Sequence, residues 1–183
     1  MNFHTAPHTF VNNVHLLVED LERSFTFYTK ILGFILFDKS ENQIRLTADG
    51  LHPLLTIEQP KQIKPKVRRT TGLYHFALLL PRRSDLAKSF LHLENKQWPI
   101  ASSDHQVSEA IYLSDPDGNG IELYTDRDPT KWKWEKEQIH MTVDPLDFDS
   151  LLSEIDGDSK WSRLPSETVI GHIHLHVSHI DEA

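Results

Sequence analysis

The 183 residues, 38% hydrophobic and 25% charged, have the length and balance of one globular domain with an appendage, which excludes a disordered chain. No apolar run approaches the roughly 18–20 residues a membrane helix requires, and MNFHTAPHTF lacks the basic-then-apolar order of a secretory signal, so a cytoplasmic protein with no membrane partner is expected. A net charge of −8 disfavours nucleic acid as a partner, and the absence of cysteine leaves nitrogen and oxygen as the ligands for any metal, with 12 histidines to supply imidazoles.

In chain order, FVNNVHLLV (10–18) is rich in β-branched and apolar residues and reads as a strand, after which Asp20 is placed to cap a helix. Leu21, Phe25, Tyr28 and Leu32 then recur at helical spacing, and Gly33 supplies the stop. Short strands are expected at Phe34–Phe37, Gln43–Ala48 and Leu54–Glu58, with turn signals between them. A polar connector from Pro60 to Thr71 holds Lys61, Lys64, Lys66, Arg68 and Arg69; without interleaved aromatics this cluster reads as a solvated loop. The order then repeats: a strand at Leu73–Leu80, a helix capped by Ser84 and carrying Leu86, Phe90 and Leu93, a strand near Val107–Leu113, the turn DPDGNG, and a strand at Ile121–Thr125.

The chain is therefore expected to be α+β, with two βαβββ units at about 10–59 and 73–125 pairing into a half-open mixed β-barrel within residues 1–126. Residues 127–168 read as a linker with a short helix around Phe148, Leu151, Leu152 and Ile155. From 169 to 183 the sequence restarts the pattern: IHLHVSHIDE lies over VHLLVEDLER, with His174 on His15, so the first strand of a second, truncated module is expected there. That strand is expected to pair with a neighbouring chain or to fold back on the barrel.

His15 shares a strand face with Asn13 and Leu17, and His75 with Leu73 and Ala77. Singly, a strand histidine is more often a hydrogen-bonded structural residue than a ligand. Glu122, between Ile121 and Leu123, needs a counter-charge, a metal or an outward face. Together, two neutral imidazoles and one carboxylate suit a divalent ion and leave about three coordination positions open, which favours Fe(II), with Mn(II) as the alternative.

The duplication, the opening NVHLLVEDLERSFTFYTKILGF, the strand GLYHFALLLP and the closing EAIYLSDPDGNGIELY resemble the glyoxalase, bleomycin-resistance and extradiol-dioxygenase superfamily, also called the vicinal oxygen chelate superfamily. The linker with Trp132, Lys133 and Trp134 and the stretch VIGHIHLHVSHIDEA look most like the N-terminal module of bacterial catechol 2,3-dioxygenase-like proteins. The resemblance implies His15, His75 and Glu122 as the metal ligands. It also implies Tyr112 near the substrate hydroxyl and His105 assisting proton transfer. The reaction it implies is extradiol ring cleavage of a small aromatic diol by O2 at Fe(II), in a protein expected to be a homo-oligomer. Two alternatives share the fold: a glyoxalase-type lyase, isomerase or thiol transferase on the same ligands, and a metal-free module that binds a flat small molecule.

Overall fold

The computed structural model describes residues 4, 7–67, 70–157 and 160–182; Arg68 and Arg69 of the basic cluster, and Ala183, lie outside them. The first unit runs β1 (Val14–Leu17), α1 (Leu21–Lys30), β2 (Ile35–Lys39), β3 (Gln43–Thr47) and β4 (Pro53–Glu58). The second runs β5 (Gly72–Leu79), α2 (Arg83–Asn95), β6 (Ala101–Asp104), β7 (Ser108–Ser114) and β8 (Gly120–Asp126). The segment between 127 and 168 holds the short pair β9 (Trp134–Glu135) and β10 (Gln138–Ile139) and the helix α3 (Phe148–Leu152), and β11 (Val169–His176) follows, with a 3-10 turn at Ile180–Glu182 after it.

The fold is α+β with the expected paired βαβββ units, and its sheets stay open rather than closing into a barrel. The first unit forms a four-stranded sheet in the order β1-β4-β3-β2, and the second a five-stranded sheet in the order β11-β5-β8-β7-β6. Each sheet is mixed in the same way: the first strand of the unit runs parallel to the last, and the other pairs within the unit are antiparallel. β11 folds back on the outer edge of β5 and runs antiparallel to it. One continuous core joins the units, with Phe27 and Tyr28 of α1, Ile44, Leu55 and Ile57 of the first sheet, Leu86 and Leu93 of α2, and Phe76, Ile111 and Ile121 of the second sheet.

Local chemistry sets the element ends. The Asp20 carboxylate accepts from the Arg23 backbone N–H at 2.9 Å, the expected cap for α1. Ser84 is not the cap of α2. That helix begins one residue earlier, at Arg83, behind Arg82, whose side chain makes no capping bond. β6, with the sequence ASSD, escaped the sequence pattern because it has no β-branched or aromatic residue; it exists because it pairs along β7. α3 lies where a short helix was expected, and Phe148 stacks on Phe90 of α2 with ring centroids 4.4 Å apart.

The DPDGNG turn ties the units together. Asp115 accepts from the Tyr28 hydroxyl of α1 at 2.8 Å and from its own loop at the backbone N–H groups of Asp117 and Asn119. Asp117 pairs with Arg23. Lys66, from the basic cluster, is not simply solvated: its ammonium donates to the carbonyls of Leu73 and Gly118, at 3.2 and 3.1 Å, fastening the connector to this turn.

Gly120 lies opposite His75 on the parallel ladder, and a Cβ there would sit 2.1 Å from the carbonyl oxygen of Tyr74, a backbone atom with no room to yield. Gly118, with φ +79° and open space around it, needs glycine for backbone conformation alone. Gly120→Ala should therefore destabilise by about 3 kcal/mol, the upper range for a forced overlap, against about 1 kcal/mol for Gly118→Ala. Urea midpoints of the two variants check the order, and equal losses would refute the close approach of β5 and β8 at this point.

Candidate metal centre

The second sheet builds the site from one row of residues across four strands. His172 of β11 is the partner of Ala77 on β5, Ala77 that of Glu122 on β8, and Glu122 that of Tyr112 on β7. Residues in such a row project from the same face, and His75, two before Ala77, joins them by strand alternation. Ala77 is the smallest member, so the imidazole of His172 reaches over it to the carboxylate of Glu122.

The donor atoms converge. Nε2 of His75 and Nε2 of His172 each lie 2.9 Å from the same oxygen of Glu122, Oε2, and 3.4 Å from each other. All three ligand atoms fall within 4.8 Å of one another, and among the described residues this is the group of three so placed. Glu122 is 3% exposed and His75 6%. Burial alone would push the carboxyl of Glu122 up, but hydrogen bonds from His172 and His75 and their nearby charge outweigh it and hold the group down at about 2. The carboxylate is thus ionised, and two imidazole nitrogens crowd one oxygen, a donor set that suits a divalent ion with bonds of about 2.0–2.2 Å.

Behind the carboxylate runs a relay. The Tyr112 hydroxyl donates to Oε1 of Glu122 at 3.0 Å, and Nε2 of His105 lies 2.7 Å from the same hydroxyl. Nδ1 of His105 lies 2.7 Å from the Thr142 carbonyl, which accepts only, so Nδ1 carries a proton. Nε2 of His105 and Oε1 of Glu122 thus meet at the one Tyr112 hydroxyl. Burial first, and then the charge of Glu122, pushes the Tyr112 hydroxyl well above its ordinary value, so it stays protonated. Thr142 belongs to the connecting segment, which thereby orients a side chain of the site.

His15 is not part of this cluster. It stands on the first sheet, where its Nε2 lies 3.0 Å from Oε2 of Glu58. The physical reason is strand order: the neighbour of β5 on its outer edge is β11, not β1, so the second imidazole is delivered by His172. His75, Glu122, Tyr112 and His105 are brought together as named above, and His172 is the residue that sequence reasoning missed. The visible signal was the alternation His172, His174, His176 on one strand. Matching to His15 selects His174, whereas irregularities flanking His172 and His174 shift the ladder so that His174 faces His75 edge-on, ring centroids 4.9 Å apart. Burial, then the charges of His75, His172 and His176, holds the His174 imidazole below its ordinary value.

The cluster opens into a cleft of about 1330 Å³, lined by Tyr74, Ile100, Tyr112, Met141, His174 and His176 among others. That is ample for a small aromatic ligand.

The family model described as "Glyoxalase/Bleomycin resistance protein/Dioxygenase superfamily" matches residues 6–123. The chain is 45% identical over 177 residues to a "Catechol-2,3-dioxygenase" of Bacillus subtilis (strain 168), covering 96% of this chain and 62% of that protein. It is 30% identical over 103 residues to a "Biphenyl-2,3-diol 1,2-dioxygenase 3" of Rhodococcus globerulus, covering 55% of this chain and 54% of that protein. The chain therefore spans less than two thirds of the length of either relative. A crystal structure of a glyoxalase/dioxygenase from Nostoc punctiforme superposes with a TM-score of 0.56 at 20% identity, covering 70% of this chain and 99% of that one, a likeness of fold.

Proposed function

Because the chain belongs to the glyoxalase, bleomycin resistance protein and dioxygenase superfamily, we propose that its His75–Glu122–His172 cluster holds Fe(II) and that the protein cleaves a small catechol-type diol with O2, as an extradiol dioxygenase or as one module of one. The observation that carries this reading is the meeting of two imidazoles and one carboxylate beneath a cleft with a tyrosine–histidine relay behind them. The 45% identity to a catechol dioxygenase supports it. Mn(II) is the alternative ion for the same ligands.

When bound, Fe(II) would supply the redox chemistry that lets a chelated diol and O2 exchange electrons. The residues of this chain do the remainder. His75, Glu122 and His172 would hold the ion, and the cleft beside them has room for a bidentate oxygen ligand. The walls of the cleft hold the ring and exclude water around it. His105, with Nδ1–H held on the Thr142 carbonyl, presents Nε2 to exchange a proton by way of the Tyr112 hydroxyl. Self-association into a homo-oligomer belongs to the same reading. Among the described residues no helix is long and apolar enough to cross a membrane.

Protein loaded anaerobically with Fe(II) and then given catechol in aerated buffer is expected to consume O2 and release a yellow ring-opened product. His105→Ala should lower kcat by about 100-fold, the usual share of a proton-transfer residue, with little change in KM. Metal-loaded protein that consumes no O2 with catechol or its alkyl and aryl derivatives would overturn the reading.

A further inference from the structure

The cleft is charged against the sign of the molecule. The chain carries a net charge of −8, yet among the described residues that line the cleft Glu122 is the one carboxylate, and it already serves His75 and His172. The end of the cleft at the start of β5 gathers an ammonium and an imidazole instead. Lys66 lines it, held to the carbonyls of Leu73 and Gly118 at 3.2 and 3.1 Å, and His176 stands opposite Gly72 on the ladder, its ring centroid 4.7 Å from that of Tyr74. The two carbonyls occupy two of the three donors of the ammonium and, being neutral, cancel none of its charge. Among the described residues Lys66 has no carboxylate partner.

We propose, on the basis of the diol reading above, that Lys66 selects diols whose ring also carries a carboxylate. The hydroxyls lie at the His75–Glu122–His172 cluster, and the carboxylate accepts from the free ammonium donor of Lys66, with His176 beside it. Leu73, whose carbonyl anchors Lys66, precedes His75 by two residues, about 6–7 Å of strand. That direction leads away from Glu122, whose partner is Ala77 on the other side of His75. A short acidic side chain on the part of the ring remote from the hydroxyls covers a span of this order. The volume agrees: about 1330 Å³ exceeds the roughly 300–1,000 Å³ of sites that take a drug-sized ligand, so ring and side chain both fit against Ile100, Leu113 and Met141. An unsubstituted catechol would leave the Lys66 end to water.

Lys66 also fastens the connector, so the first readout is taken on the unaltered chain. Calorimetric titration of protein loaded with Zn(II), which has no redox chemistry and so supports no turnover, compares catechol carrying an acetic acid group with catechol carrying an ethyl group. The acid should bind about tenfold more tightly, the lower end for a hydrogen bond to a charged group, and its advantage should shrink as salt is raised. Lys66→Met should abolish the advantage and Lys66→Arg should keep it. Lys64→Met, in the same connector but outside the lining of the cleft, should leave it unchanged. Equal affinities for the two diols would overturn the proposal and leave the diol reading standing. So would an advantage that survives Lys66→Met. Preferential binding of the acid by a protein that consumes no O2 when loaded with Fe(II) would do the reverse, sinking the dioxygenase reading and leaving the carboxylate site, and failure of both diols to bind would overturn the two together.

Discussion

Truncation after Glu167 is expected to lower the affinity for Fe(II) by at least about 100-fold and to destabilise the protein by several kcal/mol. The cut removes β11 and with it His172, one of the three converging donors. It also strips the outer edge of β5 and uncovers Ile170, which is fully buried, together with the face of Tyr124 against which Gly171 packs so closely that a Cβ there would overlap the ring. Burial of one large aliphatic side chain accounts for about 1.5–3 kcal/mol of this, and the broken ladder adds to it. Two point variants separate the ligand from the strand. His172→Ala should reproduce the loss of affinity with most of the stability kept, and His174→Ala should leave metal binding within about threefold of wild type, far short of the loss of a ligand. Anaerobic Fe(II) titration decides; a loss seen with His174→Ala and not with His172→Ala would mean that β11 sits two residues out of the register described.

Replacement of Glu122 by alanine should be the most damaging single change to metal binding, beyond about 100-fold, because it removes the one carboxylate of the proposed centre and leaves two imidazoles facing a cavity. It also strands donors. Tyr112, His75 and His172 all bond to this carboxylate, and a buried donor such as His75 left without its acceptor costs about 1–3 kcal/mol. Tyr112→Phe takes away only the hydroxyl that orients the carboxylate, so about a tenfold weakening is expected, in the range of residues one step behind a ligand. The two variants titrated side by side with Fe(II) give the order, and equal affinities would remove Glu122 from the ligand set.

How much of this was legible in the sequence depends on the distance over which each feature is decided. The cap at Asp20, the strand containing His75 and the DPDGNG turn are set by neighbours a few residues away, and periodicity and turn chemistry found them. The meeting of Glu122 with His75 was implied by the family resemblance, and the structure realises it by running the first and last strands of the second unit side by side. β6 was hidden because nothing in ASSD favours a strand until β7 is beside it. The exchange of His15 for His172 was hidden for a stronger reason: which strand lies against the outer edge of β5 is a choice between two chain segments of similar pattern, and no local signal ranks them. Even given β11, its irregular pairing, rather than strict alternation, selects His172 from three histidines on one strand.

The far separation of the ligands along the chain has a kinetic consequence. His172 lies 97 residues from His75, so the three donors meet only when a long loop has closed. Closure entropy grows slowly with loop length, by about 0.6 kcal/mol per doubling, so the docked strand is held mainly by what it meets on arrival. An ion that binds the docked arrangement and not the undocked one stabilises it by about 2.7 kcal/mol at a hundredfold excess over its dissociation constant. In the proposed centre, detachment of β11 would take one of three ligands off the ion, so the residence time of the metal would report how often this strand lets go.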